Sequence, residues 1–392
     1  MRCRKGLGAW WGIRRALTSA RLRRKGRTYE IGRTRKARGV NLGNWLVLEK
    51  WMGSSPLAAA RTDDDRGLID EFDPDVLDAR LEEYRATYVT EDTFAWFARV
   101  GVNLVRIPVP YHIYGTAHHR PCIAYLDDAM AWAQAHGIGV LIDLHTVPYG
   151  QNGFDSGGYL GMCAWHKDPA RVDFVLDVLE RLARRYAGHP ALWGIEPLNE
   201  PVSEAIFELN KARHEARHPE RVAVSEPMPA AQLRDFYERF YRRVRPLVGN
   251  EVALVFHDRF ELEAWSHAMV GRAYANVWID THLYLSFADD GFERYDLKEY
   301  LALLRRFERR VVRAARSHPI LVGEWCLSNH ASLPRAVDDQ ARRDWYRSFA
   351  DAQLAAWDKG GGGCFWSYRV DAPGRSDWSF EHCMTCGWLA YR

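Results

Sequence analysis

Apolar residues along the chain fall into two alternating patterns. Eight short apolar runs are bounded by glycine, proline or polar residues: Val40 to Gly43, Asn103 to Val109, Gly139 to Leu144, Leu192 to Leu198, Val252 to His257, Asn276 to Thr281, Ile320 to Gly323 and Cys364 to Ser367. Runs this brief read as buried strands. Between them lie longer stretches, Glu91 to Val100, Leu126 to Ala135, Arg171 to Tyr186, Ala230 to Val244, Leu297 to Ser317 and Asp338 to Lys359. Their apolar positions recur every three or four residues, as Val172, Phe174, Val175, Val178, Leu179 and Leu182 do, which is the stripe of an amphipathic helix. Eight strands with intervening helices predict an α/β fold, a (β/α)8 TIM barrel rather than a doubly wound sheet.

Three long excursions interrupt the repeat: Trp51 to Tyr88, Val147 to Asp168 and Val202 to Pro229. Each follows a strand, so each is expected to rise over the face where a barrel does its chemistry. The third carries Lys211, Arg213, Glu215, Arg217, Glu220 and Arg221, a pattern equally suited to a solvated helical flap and to substrate contact. Before the first strand, Thr28 to Ile31 and Lys36 to Val40 read as a hairpin that could plug the barrel floor. Residues 1–27 form a basic arm without a fold signal, and 28–392 a single catalytic domain.

The chain has 392 residues and a formal charge of +3, but this balance is uneven. Residues 1–37 hold 13 Lys and Arg against one acid, Glu30; removing them from totals of 54 and 51 leaves 41 basic and 50 acidic residues, a net of −9 for the body. An acidic body argues against nucleic acid as the main partner. Arg14 and Arg15 break the apolar stretch that a signal peptide would need, and no run of about 18 apolar residues could span a membrane. Seven scattered cysteines do not form a disulfide framework, which makes the cytoplasm the expected compartment. Cys383 and Cys386 with His382 make one CxxC pair, short of the four ligands structural zinc takes, and read as structural thiols.

The candidate chemistry lies at strand ends. The run through Leu198 stops in Asn199-Glu200-Pro201, and the run Pro319 to Gly323 stops in Glu324-Trp325. A lone strand-end glutamate is ordinarily only a charged residue. In a parallel barrel, however, all strand C-termini meet on one face, so two carboxylates over a hundred residues apart can converge. Facing carboxylates are what glycoside hydrolysis needs: one stays protonated to assist the leaving group, while the other attacks the anomeric carbon or activates water. Arg106 within its strand, His145 after Asp143-Leu144, His282 and Tyr284 after Asp280-Thr281, and Trp366 in the last strand add polar or stacking groups at neighbouring strand ends. This chemistry requires neither metal nor cofactor; its partner is an oligosaccharide substrate.

An ordered set of motifs across Arg38 to Leu389 resembles glycoside hydrolase family 5 of the clan A barrels, and within it the exo-β-1,3-glucanase type. The set comprises Arg38-Gly39-Val40-Asn41-Leu42-Gly43-Asn44-Trp45-Leu46-Val47-Leu48-Glu49, Val105-Arg106-Ile107-Pro108, Ile142-Asp143-Leu144-His145, Gln151-Asn152-Gly153-Phe154-Asp155, Leu198-Asn199-Glu200-Pro201, His282-Leu283-Tyr284, Gly323-Glu324-Trp325 and Phe365-Trp366-Ser367-Tyr368. The resemblance implies Glu200 as acid/base and Glu324 as nucleophile, with Asn199 on the 2-hydroxyl of the reacting sugar. It further implies that Tyr284 and Arg106 support Glu324, that His145 and His282 line the same subsite, that Trp366 forms its stacking floor, and that Glu49 and Asn152 hold the outer hydroxyls of the terminal sugar. Asn44 stands where the family pattern usually has a second Gly, and Lys50 where it has Pro. The expected activity is a retaining exo-β-glycosidase of the β-glucosidase or exo-β-1,3-glucanase kind. Family subgroups with a similar opening motif make an exo-β-mannosidase acting on short β-mannosides the alternative, with an endo-acting glucanase or mannanase or an inactive carbohydrate-binding barrel behind it.

Overall fold

The computed structural model describes Thr28 and residues 30–288, 296–331 and 338–391. The basic arm of residues 1–27 lies outside them, as does Tyr29 of the expected hairpin. Eight parallel strands close into a barrel in chain order: β1 (Ala37–Asn41), β2 (Leu104–Val109), β3 (Gly139–Leu144), β4 (Leu192–Glu196), β5 (Ala253–His257), β6 (Val277–His282), β7 (Ile320–Trp325) and β8 (Gly362–Phe365). The ring closes through β8 and β1, with Gly39 opposite Cys364 and Val40 opposite Phe365. All eight apolar runs are therefore strands, with ends displaced by three residues at most. The six periodic stretches are helices, and the crossover between β5 and β6 has only the short 3-10 turn Leu262–Trp265.

Strand alternation sorts side chains between two cores. Val105, Ile107, Val140, Ile142, Leu144, Ile195, Leu254, Phe256 and Ile279 face outward and join the helices in one large apolar cluster. Leu104, Leu141, Trp193, Val255, Trp278 and Leu321 face the barrel axis and fill its lower end. Two residues further along the same inward column stand Arg106, Asp143, His257 and Asp280, all fully buried. The interior is thus apolar at the N-terminal ends of the strands and ionic toward their C-terminal ends, a direct product of the period-2 pattern.

The segment before β1 does close the floor, but not as a hairpin. Thr28 and Glu30 are helical, and Ile31 makes a single bridge to Arg35. Its side chain joins the lower barrel core, and its carbonyl accepts from Trp193 Nε1 at 3.1 Å. Three or four alternating residues are too few for cross-strand pairing to outweigh a tight turn here.

The three excursions interlock above the strands. Leu160 N donates to Asp64 Oδ2 at 2.8 Å, Asp64 also pairs with Arg221, Arg217 pairs with Asp63, and Asn210 Nδ2 donates to Asn152 O at 3.0 Å. Among the described residues no helix is long and apolar enough to cross a membrane.

Candidate active site

Glu200 and Glu324 converge as the strand order requires. His282, at the tip of β6, places Nδ1 at 2.6 Å from Glu200 Oε1 and 3.4 Å from Glu324 Oε2. Both carboxylates therefore meet at one imidazole nitrogen. Both glutamates are nearly buried, at 9% and 4% exposure. Glu200 has φ +45, a left-handed conformation that a side-chain-bearing residue holds only at a cost of about 1–3 kcal/mol. Its carbonyl accepts from Asn152 Nδ2 at 3.1 Å, a contact that helps hold the backbone there.

Three donors address Glu324. Arg106 Nη1 donates to Oε1 at 2.9 Å, Tyr284 Oη donates to Oε2 at 2.5 Å, and His282 faces the same oxygen. Burial pushes the Glu324 carboxyl above its ordinary value; His282 and Arg106 pull it down, and Glu200 adds to the rise. For His282 burial alone would favour the neutral ring, but Glu324, Asp280 and Glu200 outweigh it and hold the imidazole well above its usual range, as a cation between carboxylates.

Arg106 is the hub. Besides Glu324 it bonds Glu196 Oε2 through Nε at 3.0 Å, Asn199 Oδ1 through Nη2 at 2.9 Å and Asn41 Oδ1 through Nη1 at 3.2 Å, and it pairs with Asp143 at 3.1 Å. Because Asn199 gives its oxygen to Arg106, its amide nitrogen faces His145 Nε2 at 3.3 Å. His145 in turn gives Nδ1 to Asp143 Oδ2 at 2.6 Å, which fixes the tautomer that leaves Nε2 an acceptor. Its ring lies parallel to Trp366, centroids 5.6 Å apart. Gly43 makes room for that indole: a Cβ there would stand 2.8 Å from Trp366 Cζ2.

Glu49 is buried beside this group, its Oε2 accepting from Trp51 Nε1 at 2.8 Å. Burial, then repulsion from Asp155, pushes its carboxyl well up. Asn44 explains its own departure from the family pattern. It has φ +59, which Gly adopts freely and Asn tolerates, and its Oδ1 accepts from Glu49 N at 3.0 Å while its Nδ2 donates to Gly53 O at 2.8 Å. Lys50, the other departure, donates to the carbonyls of Ala60 and Thr62, both at 2.8 Å. Asn152 differs from expectation: it is wholly buried, and its amide is taken up by Glu200 O and Phe154 N, so it shapes the chain carrying Glu200.

All three excursions line one cavity of about 380 Å³ next to Glu49, with Trp51 and Asp63 from the first, Phe154 and Asp155 from the second, and Arg213, His214 and Arg217 from the third. The charged third excursion thus reaches the pocket wall. Cys383 and Cys386 are free thiols: Cys383 Sγ faces Ser376 O, and Cys386 Sγ faces His382 Nε2 at 3.4 Å.

The motif reading missed Asn41, Asp143, Glu196, His257, Asp258 and Asp280, all fully buried. Their signal was register, since each is a polar residue within or just beyond a strand. Gly323 is shaped by one of them: its N–H donates to Asp280 Oδ1 at 2.6 Å, and a Cβ at that position would overlap the carboxylate. Glu200, His257 and His282 bring one ligand-type atom each within 4.8 Å, yet His282 is held protonated and His257 Nδ1 accepts from Arg259 N at 3.0 Å, so the group is fitted to holding protons.

Comparison with known proteins agrees with this geometry. The family model for cellulase (glycosyl hydrolase family 5) matches residues 76–368. The probable glucan 1,3-β-glucosidase A of Emericella nidulans is 31% identical, over 90% of this chain and 89% of its own. Glucan 1,3-β-glucosidase 1 of Schizosaccharomyces pombe is 27% identical, over 86% and 84%. The crystal structure of rutinosidase from Aspergillus niger shares the fold with a TM-score of 0.73 at 20% identity, covering 90% of this chain and 97% of that one.

Proposed function

The chain belongs to glycosyl hydrolase family 5, and from that premise we propose that it is a retaining exo-β-glycosidase that removes single glucose units from the non-reducing ends of short β-1,3-linked oligosaccharides. The observation that carries the reading is the His282 bridge, which brings the two carboxylates from different strands to a single ring nitrogen.

In the first step Glu324 attacks the anomeric carbon while Glu200 gives its proton to the glycosidic oxygen, so the aglycone leaves neutral. A water then attacks the glycosyl-enzyme, Glu200 takes back a proton, and the sugar departs with its configuration retained. The donors around Glu324 support its role as nucleophile: Arg106, Tyr284 and His282 favour the ionised form that burial opposes. Asn199, oriented by Arg106 and His145, suits the 2-hydroxyl, where a hydrogen bond strengthens as charge develops. Trp366 offers a flat face beneath the ring, and Glu49 reaches hydroxyls on the far side. The joined excursions support exo action, because ionic contacts between them wall the pocket beyond Glu49.

The test is a timed digest of a β-1,3-linked glucose tetrasaccharide, followed by NMR. Glucose as the first small product, released as the β-anomer, is expected. Disaccharide as the main early product would overturn exo action, and the α-anomer would overturn retention. Faster turnover of an aryl β-mannoside than of the aryl β-glucoside would replace the gluco reading by the manno one.

A further inference from the structure

The ladder between β6 and β7 has an irregularity that Asp280 fills. Asp280 pairs with Leu321 and Thr281 with Val322, but His282 then pairs with Glu324, so Gly323 is passed over. A residue passed over in this way turns its N–H out of the regular ladder, and a buried N–H needs another acceptor. Here it donates to Asp280 Oδ1 at 2.6 Å. One oxygen of this fully buried carboxylate thus holds the backbone immediately before Glu324. The other, Oδ2, faces His282 Nε2 at 3.4 Å, an ion-pair distance, and among the described residues neither atom is taken by a hydrogen bond elsewhere.

The reaction moves one negative charge past His282. Before attack Glu324 is ionised and Glu200 holds the proton; in the glycosyl-enzyme Glu324 is an uncharged ester and Glu200 has given its proton away. Both carboxylates face the same ring nitrogen, Nδ1, at 3.4 and 2.6 Å. We propose that Asp280 is a positioning residue that keeps His282 an imidazolium through both steps, so that Nδ1–H stays with the negative charge as this passes from Glu324 to Glu200. The proposal deepens the retaining reading and rests on it.

Burial alone would favour a neutral ring; Glu324 opposes it most, and Asp280 comes next. Once Glu324 is an ester its charge is gone, and Asp280 becomes the leading support for the cation, joined by Glu200. Other groups turned toward the ring do not replace it. His257 on β5, its centroid 4.5 Å away, is kept neutral by burial and by His282 itself, and Asp258 beside it is pushed up to about 7 by burial. Arg106 on β2 approaches Asp280 Oδ2 at 3.7 Å but donates the same Nε to Glu196 at 3.0 Å. In the second step Glu200 takes a proton from water. A cation 2.6 Å from its Oε1 favours the ionised form which that step requires.

Asp280→Asn is nearly isosteric: its amide oxygen can keep the Gly323 bond, while its NH2 would donate to Nε2 and so favour the neutral ring with the proton on Nδ1. The experiment reads ring N–H protons by NMR in the full chain carrying isotope-labelled histidine, at rest and after trapping with a 2-fluoroglucoside. His282→Gln assigns the signals. The wild type should show both His282 N–H protons across about pH 5–8 in both states. In Asp280→Asn the second should vanish at lower pH at rest and be absent after trapping. With a dinitrophenyl β-glucoside, chosen because its leaving group speeds the first step, kcat of the variant should fall about 10–100-fold while kcat/KM changes little. Azide, which attacks without giving up a proton, should restore kcat. Equal losses in kcat and kcat/KM with both signals kept would make Asp280 merely structural and overturn the proposal. A trapped wild-type enzyme whose His282 shows one N–H overturns it whether or not the variant folds. Failure of the trap to label Glu324, read by mass spectrometry, would refute the retaining reading instead; the resting spectra then decide for Asp280, an unmoved second signal overturning its role.

Discussion

Replacing Tyr284 by Phe removes one hydroxyl from the site and little else. The ring is held by Trp378 and Phe287, centroids 5.2 and 5.4 Å away, so it should keep its place. Burial and Glu324 hold the Tyr284 hydroxyl well above its ordinary range, so it is a donor at every working pH. Its 2.5 Å bond goes to Glu324 Oε2. A hydrogen bond to a charged group contributes about 1.5–3 kcal/mol. At about 1.4 kcal/mol per pKa unit, losing it should lift the Glu324 carboxyl by about one to two units. The wild-type group is already raised by burial, and catalysis needs it ionised, so activity is lost as pH falls through that raised value. In Tyr284→Phe the acid limb of kcat/KM should therefore move to higher pH by about one to two units, with a smaller loss on the plateau. A pH profile with an aryl β-glucoside measures it, and thermal unfolding checks that the variant is folded. A uniform fall in rate with an unmoved acid limb would refute the reasoning, as would a limb displaced to lower pH.

Glu324→Ala should abolish turnover of every substrate. Glu200→Ala should lose about 10²–10⁴-fold on poor leaving groups yet still form and accumulate a glycosyl-enzyme from a dinitrophenyl glycoside. Equal bursts in both variants, read by rapid quench and mass spectrometry, would reverse the assignment. Burial pushes fully buried Asp258 from 3.8 up to about 7, so the stability tied to its proton is whole below 3.8 and lost as pH rises through about 7. Asp258→Asn keeps the acceptor for Phe260 N, at 2.7 Å in the wild type, and should flatten the decline in Tm between pH 5 and pH 8 by an amount worth a few kcal/mol. Parallel declines in the two proteins would show that Asp258 carries no proton across this window.

The barrel was legible because its evidence is local. A strand buried on both faces shows as an unbroken apolar run, and Glu200 and Glu324 stand out because each ends such a run. Arg106 was legible for the same reason, as a cation inside an apolar strand. What it serves was not, because its partners Asp143, Glu196 and Glu324 come from three other strands, as many as 218 residues away. The register that aligns them is set by the β2 to β3 pairing of Arg106 with Leu141 and by the bulge that brings Leu192 and Gly194 of β4 opposite adjacent residues of β3. No motif encodes that shift. Asn152 illustrates the same limit, since its amide answers to the backbone of Glu200, whose left-handed φ the letters do not announce.

The cluster around Arg106 also shows why a single guanidinium is needed there. Asp143, Glu196, Asp280 and Glu324 all lie within ion-pairing range of it, and all four are 4% exposed or less. A buried carboxylate without a cation takes up a proton, and a protonated Glu324 could not attack. Burial holds Glu196 well above its ordinary value even with Arg106 beside it, while Asp280 and Asp143 add to the rise. The proton that this acidic ring demands can therefore reside on Glu196, away from the reacting carbon, and Arg106 spends Nη1 on Glu324. A lysine could supply the same charge, but its one ammonium could not reach acceptors on β1, β3, β4 and β7 together. The planar fork thus does two things from one position: it favours the ionised nucleophile, and through Asn199 it orients the amide that faces the sugar.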